Sequence, residues 1–281
     1  MARLIPDIAY GEAGIAHSTA PRRVTLRMDA YLPDASQGPA PAVVLAFGGA
    51  FLRGSKEDDS FRAAGRFGAN TAMAEYCRRF AEEGFACFSV SYRLGGDDPD
   101  PGNTPVLTRP EAVPMERIRQ VREIMGLPPA TPQQMAGVIE AAIDDMTAAA
   151  RAVIVRAEEF GLDAQRVVLG GWSAGARCAL YAAYAEHVPC AGVLALSGSL
   201  DLADVRPGPL PPLLMLSAEH DVGYIADGTP AIVAGMRAKG CDARHVQVPG
   251  RDHWYAAEAM TNAGVTVQQA MRAALRDWTG R

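Results

Sequence analysis

The chain has 281 residues, 49 % of them hydrophobic, enough to bury one sizeable core, and α/β folds often reach this length as one domain. Its 27 basic and 32 acidic residues leave a formal charge of −5, so it offers no basic footprint for nucleic acid or for an anionic membrane surface. The expectation is a single domain over 1–281 that takes a small-molecule substrate.

The opening Met1-Ala2-Arg3-Leu4-Ile5-Pro6-Asp7 has no apolar stretch of signal-peptide length, and no run approaches the roughly 18 apolar residues of a spanning helix. A cytoplasmic protein with no membrane partner is expected. Cys77, Cys87, Cys178, Cys190 and Cys241 form an odd set with no Cys-x-x-Cys pair and no histidine at metal-ligand spacing. They read as reduced, buried thiols, and no metal is expected.

In chain order, short apolar, β-branched runs at 22–26, 42–47, 86–92, 166–171, 191–197, 213–217 and 244–248 read as strands. Several, such as Val43-Val44-Leu45-Ala46, do not alternate, as expected of strands buried on both faces of a parallel sheet. Helical patterns separate them. One over 71–83 stops at Gly84, and one starting at Thr229-Pro230 stops at Gly240. The longest opens on a capping box, Thr131-Pro132-Gln133-Gln134, and is ended by Gly161. An alanine-rich helix spans 174–187. Strands alternating with helices predict a doubly wound, mostly parallel sheet with helices on both faces.

Residues 97–132 break this rhythm. Pro99, Pro101, Pro105, Pro110, Pro114, Pro128, Pro129 and Pro132 surround one amphipathic segment, 115–125, whose Met115, Ile118, Val121 and Ile124 should face the body. A connection this long is functional or a linker, and the strands on both sides belong to one sheet. It is therefore read as an insertion, either a cap over the site or an assembly element in a homodimer.

The chemistry begins where the strand Val167-Val168-Leu169 runs into Gly170-Gly171-Trp172-Ser173-Ala174-Gly175 and a helix. Gly-x-Ser-x-Gly at a strand-to-helix turn is a nucleophile elbow: small residues let the backbone turn sharply, so the Ser173 hydroxyl projects from the sheet. Free N–H groups at the helix N-terminus favour negative charge beside it. Upstream, the strand ending at Ala46 delivers Phe47-Gly48-Gly49-Ala50-Phe51, a loop with few side chains that lets backbone N–H groups approach an oxyanion.

These motifs together resemble the α/β-hydrolase esterases and lipases, especially small carboxylesterases and hormone-sensitive-lipase-like enzymes. The matching segments are 47–51, Tyr92-Arg93-Leu94, Phe160-Gly161-Leu162-Asp163 and Trp172-Ser173-Ala174-Gly175. The resemblance implies the α/β-hydrolase fold and an oxyanion hole from the N–H groups of Gly49, Ala50 and Ala174. It also implies a catalytic order of serine, acid, histidine. His253, in Gly250-Arg251-Asp252-His253 after the last strand, is the expected base. Asp221, after the strand at 213–217, is the expected acid, with Glu219 and Asp227 as competitors. Two departures stand out: Phe47 replaces the family's usual histidine, and Ala50 its third glycine.

The implied activity is hydrolysis of a carboxylic ester through an acyl-enzyme, with no cofactor. A small amidase of the arylformamidase kind and a non-catalytic binding protein on a hydrolase scaffold remain open. Phe51, Leu52, Trp172, Trp254 and Tyr255 are candidate pocket residues. In the insertion, Arg109, Arg117, Arg119 and Arg122 form a solvated face, a carboxylate-recognition site or a dimer contact.

Overall fold

The computed structural model describes residues 2–34, 38–60, 68–102 and 105–281. Eight strands form one sheet in the order β1-β2-β4-β3-β5-β6-β7-β8. They are β1 (Arg3–Ile15), β2 (Arg22–Leu32), β3 (Ala40–Ala46), β4 (Ala86–Val90), β5 (Leu162–Trp172), β6 (Gly192–Leu196), β7 (Leu213–His220) and β8 (Ala243–Asp252). β2 pairs antiparallel with β1 and β4, and every pair from β4 through β3 to β8 is parallel. Each of the seven runs read as strands overlaps one of these strands, although 42–47, 86–92 and 191–197 extend one or two residues past the strand ends. The eighth, β1, went unread: it is an edge strand whose outer residues are largely exposed, with polar residues and two register shifts interrupting any alternation.

β3 and β4 are buried along their whole length, which is why they read as apolar runs rather than alternating ones. Helices cover both faces. On one side α1 (Met73–Glu82) and α8 (Val267–Thr279) pack Tyr76, Phe80, Met271 and Leu275 against the sheet. On the other lie α3 (Pro132–Val155), α5 (Ala174–Tyr184) and α7 (Gly228–Ala238), with Ile139, Leu180 and Met236 in a second core. This is the α/β-hydrolase fold.

Thr131 caps α3 by accepting from the Gln134 N–H, as its capping box predicts, but the helix is interrupted at Arg156 before the short α4 (Ala157–Phe160). Gly161 then takes φ 67°, the left-handed conformation that ends a helix cheaply. α8 was not anticipated, although Thr266 and Gln269 form the same capping box and Gly280 closes it.

Within the 97–132 stretch, residues 103 and 104 lie outside the described residues. The remainder contains α2 (Met115–Ile124), which buries Met115, Ile118 and Val121. Ile124 does not join them: it is 66 % exposed, because the last turn of α2 runs past the edge of the core. Body carboxylates pin the segment before α2. Glu140 accepts from the N–H groups of Val106 and Leu107, Asp204 from the Thr108 N–H, and Asp201 pairs with Arg109. No helix among the described residues is long and apolar enough to cross a membrane.

Candidate active site

β5 and α5 meet at Ser173, whose φ of 55° is sparsely populated for a residue with a side chain. The turn is possible because a Cβ on Gly171 or Gly175 would strike the carbonyl of Ala46 on neighbouring β3. Only glycine allows the strand and helix to approach this closely. Ser173 Oγ lies 3.0 Å from His253 Nε2, and His253 Nδ1 lies 2.6 Å from Asp221 Oδ1. All three residues are buried. The three come from the C-terminal ends of β5, β7 and β8, the edge where open parallel sheets bind ligands.

Asp221 is held by more than His253. Ser197 donates to its Oδ2 at 2.5 Å, and the N–H groups of Ala218 and Val222 donate at 3.0 and 2.8 Å. Burial alone would raise this carboxyl, but the facing His253 and these donors outweigh it and hold Asp221 below the usual aspartate range. Ala218 contributes its backbone N–H here. The competitors sit elsewhere: Glu219 accepts from the Gly250 N–H, and Asp227 precedes α7. Among the other histidines, His245 pairs with Ser217 Oγ at 2.8 Å and His187 lines a separate cavity.

The loop after β3 is fixed by neighbours. Phe47 stacks on Tyr92 with ring centroids 4.2 Å apart, and the Tyr92 hydroxyl donates to the Phe47 carbonyl at 2.8 Å. Asp59, buried and facing no cation among the described residues, accepts from the Gly48 N–H at 2.9 Å and from the Met73 N–H at the start of α1 at 2.8 Å. Burial lifts its carboxyl to about 7. Gly49 takes φ 126°, and Ala50 and Phe51 follow at 58° and 62°. Ala50 therefore holds, at some cost, a conformation that glycine would adopt freely. Among the described residues the N–H groups of Gly49, Ala50 and Ala174 donate to no other group.

Beside Ser173 the walls of a narrow pocket include Ala50, Phe51, Ala174, Ile139 and Ser199. α2 contributes Ile118 and Arg117, with Pro114 just before it. Its free space is about 20 Å³, room for little more than one water. It adjoins a wider cleft of about 380 Å³ that shares Pro114, Arg177, Ser199 and Tyr224 with it.

Of the five side chains expected in the pocket, Phe51 is on its wall. Leu52 is buried against Gly95, and Trp172 lies under Gly48 with its indole N–H 3.3 Å from the His253 carbonyl. Trp254 meets the His253 ring edge-on beneath the Arg117 guanidinium. The Tyr255 hydroxyl sits 3.1 Å from Ser197 Oγ, behind Asp221. Sequence reasoning missed Ser197, Asp59, Arg177 and Tyr224. Arg177 carried a readable signal, standing one helical turn after Ser173; Asp59 and Tyr224 carried none, since only folding brings them there. Burial pushes Tyr224 up to about 12.

Comparison with known proteins agrees with this architecture. Residues 123–208 match the family described as Phospholipase/Carboxylesterase, and residues 28–104 match the family described as BD-FAE. Among similar structures is the native esterase Est2 of the planctomycete Thermogutta terrifontis, with 16 % identity, 97 % of this chain and 90 % of that one covered, and a TM-score of 0.62. The same esterase phosphoramylated by tabun aligns with 17 % identity over 98 % of this chain and 91 % of that one, at a TM-score of 0.60. At such identity the likeness establishes the fold.

Proposed function

We propose that this chain is a serine hydrolase that cleaves carboxylic esters, with Ser173 as nucleophile, His253 as base and Asp221 as the orienting acid. The observation that carries the reading is the continuous relay from Ser173 Oγ through His253 to Asp221, at 3.0 and 2.6 Å, at the N-terminus of α5. His253 Nε2 takes the Ser173 proton as Oγ bonds to the acyl carbon. The resulting oxyanion accepts from the N–H groups of Gly49, Ala50 and Ala174. Collapse expels the alcohol, which leaves with the proton from His253. A water deprotonated by His253 then attacks the acyl-enzyme and returns Ser173.

Asp221, ionised and met by four donors, fixes the Nδ1–H tautomer and stabilises the imidazolium. Residues 97–132 act as a cap through Pro114, Arg117 and Ile118 at the pocket mouth, on a single domain. Support for ester chemistry comes from the two family matches and from the esterase name borne by the similar structures. A p-nitrophenyl ester series from acetate to octanoate, beside a matched anilide, tests it. The account expects hydrolysis of short esters that is lost in Ser173→Ala. Cleavage of the anilide in preference to the ester would make the protein an amidase instead.

A further inference from the structure

The wall of the pocket at Ser173 holds two arginines, Arg117 and Arg177, and, among the described residues, no acidic residue. Arg177 is 8 % exposed and stands one helical turn after Ser173, to whose carbonyl its N–H donates at 3.1 Å. Its guanidinium donates to two neutral hydroxyls, Ser199 Oγ and Tyr181 Oη, both at 3.0 Å, and its Nε is buried with no acceptor. The guanidinium lies 4.8 Å from the Tyr181 ring centroid. A buried guanidinium normally faces a carboxylate, because an uncompensated charge there is costly.

Two acids lie near Arg177, Asp201, which feels its charge, and Asp204, reached through the Tyr181 hydroxyl, and neither hydrogen-bonds it. Asp201 pairs with Arg109, and Asp204 accepts from Thr108 and from the Tyr181 hydroxyl. Arg117 is likewise without a carboxylate: it donates to Gln120 and lies 4.7 Å above the Trp254 ring. Burial, and then the neighbouring Arg53 charge, lower its pKa, so the protein itself disfavours the charge it places at this mouth. Two cations beside a nucleophile, neither hydrogen-bonded to a carboxylate among the described residues, are satisfied by an anion carried on the substrate.

We propose that the natural ester carries a carboxylate a few bonds from the scissile carbonyl, bound by Arg177, with Arg117 adding a second positive charge at the mouth. The carboxylate would accept from the Arg177 N–H groups left over from Ser199 and Tyr181. Side chains one turn apart on a helix are neighbours, which sets the short spacing between carboxylate and ester. The remainder of the substrate has the adjoining cleft of about 380 Å³. The inference rests on the reading of Ser173 as the nucleophile of an ester hydrolase.

Two matched pairs of esters separate the two ideas. Monomethyl glutarate is compared with methyl pentanoate, which puts the charge on the acyl side. 3-Acetoxypropanoate is compared with propyl acetate, which puts it on the alcohol side. The wild-type protein should prefer the charged member of at least one pair by about 10- to 100-fold in kcat/KM. Arg177→Gln should cut that charged-to-neutral ratio by about tenfold or more, mainly through KM, and Arg177→Lys should restore part of it. Arg117→Gln, on the cap helix, should lower the same ratio by a smaller factor even if Arg177→Gln does not fold. Hydrolysis of the neutral members with no charge preference in either pair would overturn the carboxylate site and leave the ester-hydrolase reading standing. Failure to hydrolyse any of the four would overturn both.

Discussion

Ser173, Asp221 and His253 are presented by three strand ends in the parallel part of one sheet, whereas α2 and its flank contribute to the pocket wall without joining the sheet. The first region is over-determined. Paired registers fix β5, β7 and β8, glycines fix the turn at Ser173, and four donors fix the Asp221 carboxylate. The second is held by a few side-chain clamps, Glu140, Asp204 and Asp201, and by three buried apolar residues of α2. The chemistry we propose sits on the part that cannot move without breaking a ladder. The walls that would discriminate substrates sit partly on the part that can change at low cost.

The largest expected effect breaks the first region. Asp221→Asn should lower kcat by about 10⁴-fold, because the carboxylate is met by donors on both oxygens and an amide NH₂ would face one of them in either orientation. The tautomer of His253 is then wrong although the fold is intact, which circular dichroism checks. If Glu219→Gln were crippling and Asp221→Asn harmless, the acid would be misassigned.

A smaller effect, about tenfold in kcat with KM little changed, is expected of Asp59→Asn, since it loosens the Gly48 N–H and with it the loop carrying Gly49 and Ala50. The same variant has a stability signature. Because burial lifts Asp59 to about 7, the folded chain keeps a proton that the unfolded chain has released above about 3.9. The stability owed to that proton is full at low pH and is lost as the pH rises through 7. Chemical denaturation of wild type and Asp59→Asn should therefore show their difference shifting in favour of the variant between about pH 4 and 7. A constant difference would contradict the raised carboxyl.

The mildest effect distinguishes the two regions directly. Ile118 and Val121 are both buried on α2, but only Ile118 is on the pocket wall. Each change to alanine should cost stability, about 1–4 kcal/mol. Only Ile118→Ala should move the preferred acyl length upward, by a few-fold in relative kcat/KM. Identical chain-length profiles in both variants would remove α2 from the cap.

Legibility in the sequence follows the same division. The buried parallel strands and the capped helix α3 were readable because burial on two faces and capping boxes leave local patterns. The turn at Ser173 was readable because its glycines answer a local steric demand. β1 was not, since an exposed edge strand needs no apolar pattern, and Ile124 misled because helical spacing does not reveal where the core ends. Asp59 and Ser197 act through contacts that span 11 and 24 residues of chain, and no spacing rule foretells such meetings. The prolines of 97–132 marked it as a break in the rhythm; Glu140, Asp204 and Asp201, all outside it, supply clamps that its own composition could not disclose.

The central claim is that Ser173 is a nucleophile activated by His253. It is tested most directly by incubating the protein with a fluorophosphonate and locating the adduct by intact mass and peptide mapping. The account predicts one phosphonyl group per chain, on the peptide bearing Ser173, absent in Ser173→Ala and formed far more slowly in His253→Ala. Labelling that persists undiminished in Ser173→Ala, or wild-type protein that hydrolyses esters without ever acquiring the adduct, would contradict it.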